Sequence, residues 1–186
     1  MTVRSIVYFG DPVLTAPTAP VTTFDTHTRA LVTDLLETVD VPGRAGLAAP
    51  QIGVGLRVFS YNVDDTVGYV INPQLAELST EFQDGEEGCL SVPELWYPTR
   101  RSRHAVVTGV DLRNEPVTVR GSDLMARCLQ HETEHLDGVL YLDRLDRKHR
   151  QAALREIRGS AWFLRNESPA PTLPSAFGGG VTAPRR

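Results

Sequence analysis

Apolar positions Leu31, Val32, Leu35, Leu36 and Val39 recur at the three-and-four spacing of one helical face, which predicts a helix over residues 26–40. Asp25 or Thr26 offers a cap at its start, and Pro42-Gly43 ends it. The pattern then shortens to that of strands. Residues 56–63, 67–72, 105–112 and 117–120 are β-branched and partly alternating. Asn114-Glu115-Pro116 joins the last two and is too short for a parallel crossover, so that pair is antiparallel. Helical spacing returns in Leu124, Cys128, His131 and His135, which share one face and mix apolar with ligand-type side chains. Ser122 stands where that helix is capped and Gly138 where it stops. A last helix over 147–164 carries Leu154, Ile157, Ala161 and Trp162 as its apolar stripe.

Between these elements the pattern is irregular. Residues 1–22 read as an arm broken by Gly10-Asp11-Pro12, Pro17 and Pro20. Gly46-Leu47-Ala48-Ala49-Pro50-Gln51 is a run of small residues, read from the residues alone as a tight turn between helix and strand. From Glu167 the chain is rich in Pro, Ala and Gly, which predicts a disordered tail over 167–186 behind a single domain over 1–166.

Composition narrows the function classes. With 41% hydrophobic and 23% charged residues, a chain of 186 residues builds one core of its own. A net charge of −4 carries no nucleic-acid footprint, and no apolar run reaches the roughly 18 residues of a membrane span. The expectation is therefore a cytoplasmic protein that binds neither DNA nor membrane. Two cysteines form no disulfide framework, and a reducing compartment suits a cysteine that must stay reduced.

The chemistry lies in His131-Glu132-Thr133-Glu134-His135, an H-E-x-x-H run on a predicted helix. Positions four apart lie on one face, roughly 6 Å apart along the axis, so two imidazoles can grip one metal ion. Glu132 sits beside the open position, where it can take a proton from water. Upstream, Cys89 offers a soft third ligand, with Gly88 allowing close backbone approach and Leu90 offering a backbone N–H. Cys128, one turn before His131, reads as a pocket or core residue, because a fourth protein ligand would close the site.

Three segments in this order resemble the peptide deformylase family: Gly46-Leu47-Ala48-Ala49-Pro50-Gln51, Glu87-Gly88-Cys89-Leu90-Ser91 and Gln130 to Gly138 around the histidines. Gly10 to Leu14 and Ile71-Asn72-Pro73 also resemble family segments, so the likeness spans about residues 5–150. The resemblance implies that Cys89, His131 and His135 bind one divalent ion, Fe2+ in the cell and Zn2+ or Ni2+ in prepared protein. It implies Glu132 as general base and then general acid. Gln51 and the backbone N–H of Leu90 stabilise the oxyanion, and Ala45, Gly46, Gly88 and Cys128 line the substrate site. The substrate is the N-formyl-methionyl end of a nascent peptide, and formate is released. The implied fold is α+β, with antiparallel sheets around a central helix carrying the H-E-x-x-H run and a C-terminal helix outside; the expected state is a monomer.

Several positions depart from the family pattern: Thr15, Arg44, Ala45, Arg127 and Glu134. Arg44 and Arg127 read as solvated, snorkelling side chains, and Glu134 has no evident physical reason. Residues 144–166 carry seven basic side chains against two acidic ones, a local charge of +5. A solvated face explains this, and so does docking of the C-terminal helix on ribosomal RNA. The alternative enzyme is a zincin-type metallopeptidase, which needs a third ligand downstream, where His149 is the only histidine.

Overall fold

The computed structural model describes residues 3–165; the predicted tail over 167–186 lies outside them. Helix α1 (Thr26–Val39) starts at Asp25, whose carboxylate accepts the backbone N–H groups of His27 and Thr28. Its buried face is Leu31, Val32, Leu35 and Val39. The small-residue run is not a plain turn. Gly46–Ala48 form strand β1, and Ala49–Ile52 tighten into a single 3-10 turn. All seven residues from Gly46 to Ile52 are buried, which explains their small size.

Strands β2 (Val58–Val63) and β3 (Thr66–Leu78) form a hairpin, as do β8 (His104–Val110) and β9 (Pro116–Ser122). They assemble into one antiparallel sheet in the order β1-β2-β3-β8-β9. Strand β3 runs six residues past the predicted Asn72, through a register shift at Asn72-Pro73. Asn72 takes φ of 52°, a conformation asparagine tolerates. Its amide accepts from the N–H of Val21 and donates to the carbonyl of the same residue, so the bulge pins the N-terminal arm.

Two short ladders escaped the sequence reading: β4 (Phe82–Gln83) with β7 (Arg101–Ser102), and β5 (Glu86–Cys89) with β6 (Val92–Pro98). Three of these strands have only two to four residues and offer no period to read, and the seven of β6 include Pro93 and Pro98, which mask it.

Helix α2 (Asp123–Leu136) lies against the sheet. Ser122 occupies its cap position, yet its side chain makes no capping bond. The helix does not present one inward face; every residue from Ala126 to Leu136 is buried. One side packs with Phe59, Val70 and Val107 of the sheet, and the other meets the polar groups of the β5–β7 region. Burial of side chains such as Leu129 and Leu136 contributes about 1.5–3 kcal/mol each.

The predicted terminal helix is two helices. Helix α3 (Arg147–Gly159) ends where Ser160 turns extended at ψ 143°, and α4 (Ala161–Arg165) restarts the chain in a new direction. Ser160 returns both its N–H and its hydroxyl to the Ile157 carbonyl. The break lets Trp162 pack edge-on against Tyr8 of the arm, ring centroids 5.5 Å apart. No described helix is long and apolar enough to cross a membrane.

Candidate functional site

The β5–β6 hairpin carries Cys89 to the flank of α2. One ligand atom from each of Cys89, His131 and His135 lies within 4.8 Å of the others, and all three residues are buried. Cys89 Sγ stands 3.2 Å from His135 Nε2. Tetrahedral coordination with bonds of about 2.0–2.3 Å puts donor atoms roughly 3.3–3.7 Å apart, so the cluster needs little adjustment to hold an ion. Its electrostatics favour one. Burial alone lowers the pKa of His131, but the Cys89 sulfur and the Glu87 carboxylate outweigh burial and hold it well above its ordinary range. His135 is pushed well below its ordinary range by burial and by His131, and its Nδ1 has no partner. A proton trapped among anionic groups is what a divalent cation displaces on binding. Cys128 is not part of the cluster; its sulfur donates to the Ala45 carbonyl at 3.2 Å on the sheet side of the helix.

Glu132 follows His131 on α2 and is buried, with Oε2 lacking any partner. Burial is the main cause that pushes its pKa up to about 7; His131 and Arg101 oppose the shift and Glu87 adds to it. A carboxyl so poised exchanges a proton readily near neutral pH. Room for it exists because residue 46 is glycine: a Cβ there would overlap the Glu132 side chain.

Gln51 ends up beside the same cluster because the 3-10 turn after β1 folds its side chain back. Its Oε1 accepts the Ala48 N–H at 2.8 Å, which fixes the amide with Nε2 pointing to Cys89 Sγ at 3.5 Å and Ser91 Oγ at 3.4 Å. The contact to oxygen is long and sulfur is a weak acceptor, so the amide N–H groups remain available to a ligand. Leu90 occupies the turn of the β5–β6 hairpin, directly after Cys89. The N-terminal arm locks both donor segments: Val7 N–H binds the Gln51 carbonyl, and Phe9 N–H binds the Ser91 carbonyl.

The residue that sequence reasoning missed is Glu87. Fully buried, it accepts His131 Nδ1 at 2.6 Å, Arg101 Nη2 at 2.6 Å and Nε at 3.0 Å, and Arg127 Nη1 at 2.7 Å. Burial would raise its pKa, but Arg101 and His131 hold it far below the ordinary carboxylate range. Such a carboxylate fixes the ring of a ligating histidine and leaves the opposite nitrogen for the ion. The quoted Glu87-Gly88-Cys89 segment already contained it, but nothing in the pattern separates buried Glu87 from exposed Glu86.

The network also accounts for Glu134. Its Oε1 accepts Arg101 Nη1 at 2.7 Å and Arg144 Nε at 2.9 Å, so it bridges a buried and a half-exposed arginine. Arg44 and Arg127 are not solvated, contrary to expectation. Arg44 is buried and donates to the Thr38 carbonyl at 2.7 Å, satisfying an acceptor near the end of α1. Arg127 is 4% exposed and bonded to Glu87 and Thr99. Of the expected pocket residues, Ala45 and Cys128 belong to the core between sheet and α2, Gly46 faces Glu132, and Gly88 lies under the Trp96 ring. Asp146 caps α3 by accepting the His149 N–H and also pairs with its ring, so His149 takes no part in the cluster.

The sequence profile of the polypeptide deformylase family matches residues 3–151. The chain is 58% identical over 182 residues to a peptide deformylase of Acidothermus cellulolyticus, covering 95% of this chain and 100% of that one. It is 49% identical over 174 residues to one of Parafrankia, covering 93% of each. Its fold is similar to the crystal structure of a peptide deformylase from Legionella pneumophila, with TM-score 0.80 and 33% identity over 91% of this chain and 100% of that one. The Thermus thermophilus enzyme gives TM-score 0.79 and 36% identity, covering 88% and 96%.

Proposed function

This chain belongs to the polypeptide deformylase family, and we propose from that premise how its own residues divide the work of the reaction. The protein is a metal-dependent hydrolase that removes the formyl group from the N-formyl-methionyl ends of newly made polypeptides. Cys89, His131 and His135 hold the ion, which is Fe2+ in the cell; Zn2+ and Ni2+ also suit two imidazoles and a thiolate. Bound there, it supplies Lewis-acid chemistry and makes water acidic enough to serve as a nucleophile near neutral pH.

Glu132 takes the proton from that water and returns it to the amine of the departing methionyl residue. Its raised pKa suits both directions of transfer. Gln51 Nε2 and the Leu90 N–H donate to the formyl oxygen as negative charge develops on it. Gly46 and Gly88 are assigned to the border of the space for the methionyl side chain and the peptide backbone, with Ala45 and Cys128 behind them in the core. The single observation that carries this assignment is the buried Glu132 carboxyl, its Oε2 without a partner, on the same helix as His131 and His135 of the three-ligand cluster. Formate release from formyl-Met-Ala by anaerobically Fe2+-loaded protein tests it. Activity is expected with metal, and its loss in metal-free protein and in Glu132→Ala. A Glu132→Ala variant of full activity overturns the role of Glu132.

The zincin alternative lacks support: His149, the histidine it would recruit, pairs with Asp146. A monomer in the cytoplasm remains our reading. The basic face of α3, with Arg147, Lys148, Arg155 and Arg158 all exposed, supports docking on ribosomal RNA. Reversing those four charges is expected to abolish salt-sensitive co-sedimentation with ribosomes, and undiminished binding refutes it.

A further inference from the structure

Arg127 is a buried cation for which the reaction has no evident use. Burying an arginine costs several kcal/mol unless it is well partnered. Here one nitrogen, Nη1, does both jobs, donating to Glu87 Oε2 at 2.7 Å and to the Thr99 carbonyl at 2.8 Å. Thr99 in turn donates its N–H to the Gly85 carbonyl at 2.9 Å. Gly85 makes the room: a Cβ there would stand 3.3 Å from Arg127 Nη2. Arg127 therefore stitches α2 to β5, which carries Cys89, and to the residue that follows β6.

The more telling contact is with Glu87. A carboxylate has about four lone-pair sites, and Glu87 meets four donors. Arg101 Nη2 and His131 Nδ1 share Oε1, while Arg101 Nε and Arg127 Nη1 share Oε2. With Oε2 filled from two sides, the carboxylate cannot rotate to offer it elsewhere, and Oε1 stays directed at the imidazole. We infer that Arg127 is a positioning residue of the metal centre: it locks Glu87, and through Glu87 it holds the His131 ring so that Nε2 faces Cys89 and His135. The inference rests on the Cys89, His131 and His135 reading of the ion site.

The test compares wild type, Arg127→Met and Arg127→Lys, each prepared metal-free. Zn2+ affinity is measured by competition with a chromophoric chelator, and the ligand geometry is read from the visible spectrum of bound Co2+. Removing a partner of this kind typically weakens metal binding about 10–100-fold. Arg127→Met is expected to lose affinity on that scale and to shift the Co2+ bands. Arg127→Lys, which keeps a charge and one donor, is expected to recover part of both. Wild-type affinity and a superimposable Co2+ spectrum in Arg127→Met overturn the inference, whatever happens to its melting temperature. Should Arg127→Met fail to fold, the same outcome in Arg127→Leu, which likewise lacks a donor, overturns it. Absence of stoichiometric metal uptake by wild type, or uptake unaffected by Cys89→Ser, instead overturns the underlying ligand assignment.

Discussion

Gly46 lies so close to the Glu132 carboxyl that a methyl group at position 46 cannot fit without moving it. The edge strand β1 thus shapes the space in which the proposed general base stands. Gly46→Ala is expected to fold, with an overpacking cost of about 1–3 kcal/mol. It is also expected to lose roughly 10²-fold in kcat/KM, because a displacement of about 1 Å at a reacting group is costly. Wild-type kcat/KM for formyl-Met-Ala in this variant means that Glu132 does not act from its observed position.

Gln51 is held by one firm bond, Oε1 to the Ala48 N–H, while its Nε2 makes only long contacts. Gln51→Leu keeps much of the shape and deletes the donor. The expected loss is about 10²–10³ in kcat, with KM changed far less, since the donor is needed most when charge develops on the formyl oxygen. Steady-state kinetics separate the two constants, and a rise in KM alone assigns Gln51 to ground-state binding.

Arg101 and Arg144 both reach Glu134, yet they are not equivalent. Arg101 is 4% exposed and also holds both oxygens of Glu87, whereas the Arg144 side chain is half exposed. Arg101→Met leaves buried carboxylates short of a partner and is expected to cost about 3–5 kcal/mol. Arg144→Ala removes a solvent-screened pair worth about 0.2–1 kcal/mol. Urea denaturation of the two variants checks the ranking, and equal effects contradict it.

Asp25 caps α1 and, through backbone bonds from Thr28 and His27, has a pKa below its ordinary value despite a small opposing effect of burial. A carboxylate depressed in the folded state stabilises above its unfolded pKa of about 3.9 and loses that contribution as pH falls through its folded value. Asp25→Ala is expected to melt a few degrees below wild type at pH 7, and the gap is expected to narrow as pH falls below that unfolded value. Asp25→Asn, which caps without charge, is expected to stay close to wild type at pH 7. Melting curves across pH 2.5–7 decide, and a gap independent of pH removes the charge from the explanation.

The elements legible in the sequence were those long enough to show a period. Helix α1, the strands of the sheet, the β8–β9 hairpin and the helix bearing His131 and His135 fall where apolar spacing and turn residues put them, and of the two cap candidates Asp25 is the one used. What escaped depends on contacts distant in sequence. Nothing local marks β5 as a strand: it has four residues, and its ladder with β6 shifts register between Gly88 and Cys89. The break at Ser160 follows from Trp162 reaching Tyr8, more than 150 residues earlier in the chain. Arg127 and Arg44 were misread because a charged side chain looks solvated until its buried partners, Glu87 and the Thr38 carbonyl, are known. Glu134 needed Arg101 and Arg144 for the same reason.

The complete burial of α2 from Ala126 to Leu136 ties catalysis to the survival of the whole fold. Local opening draws on segments with few buried contacts, and this helix offers none along its central and final turns. Two histidines, the glutamate between them and the anchor for Glu87 therefore stand on a segment whose amides are expected to exchange slowly with solvent. His131, Glu132 and His135 therefore cannot come apart from one another while this helix stays folded, and their arrangement is expected to persist on heating until the core itself gives way.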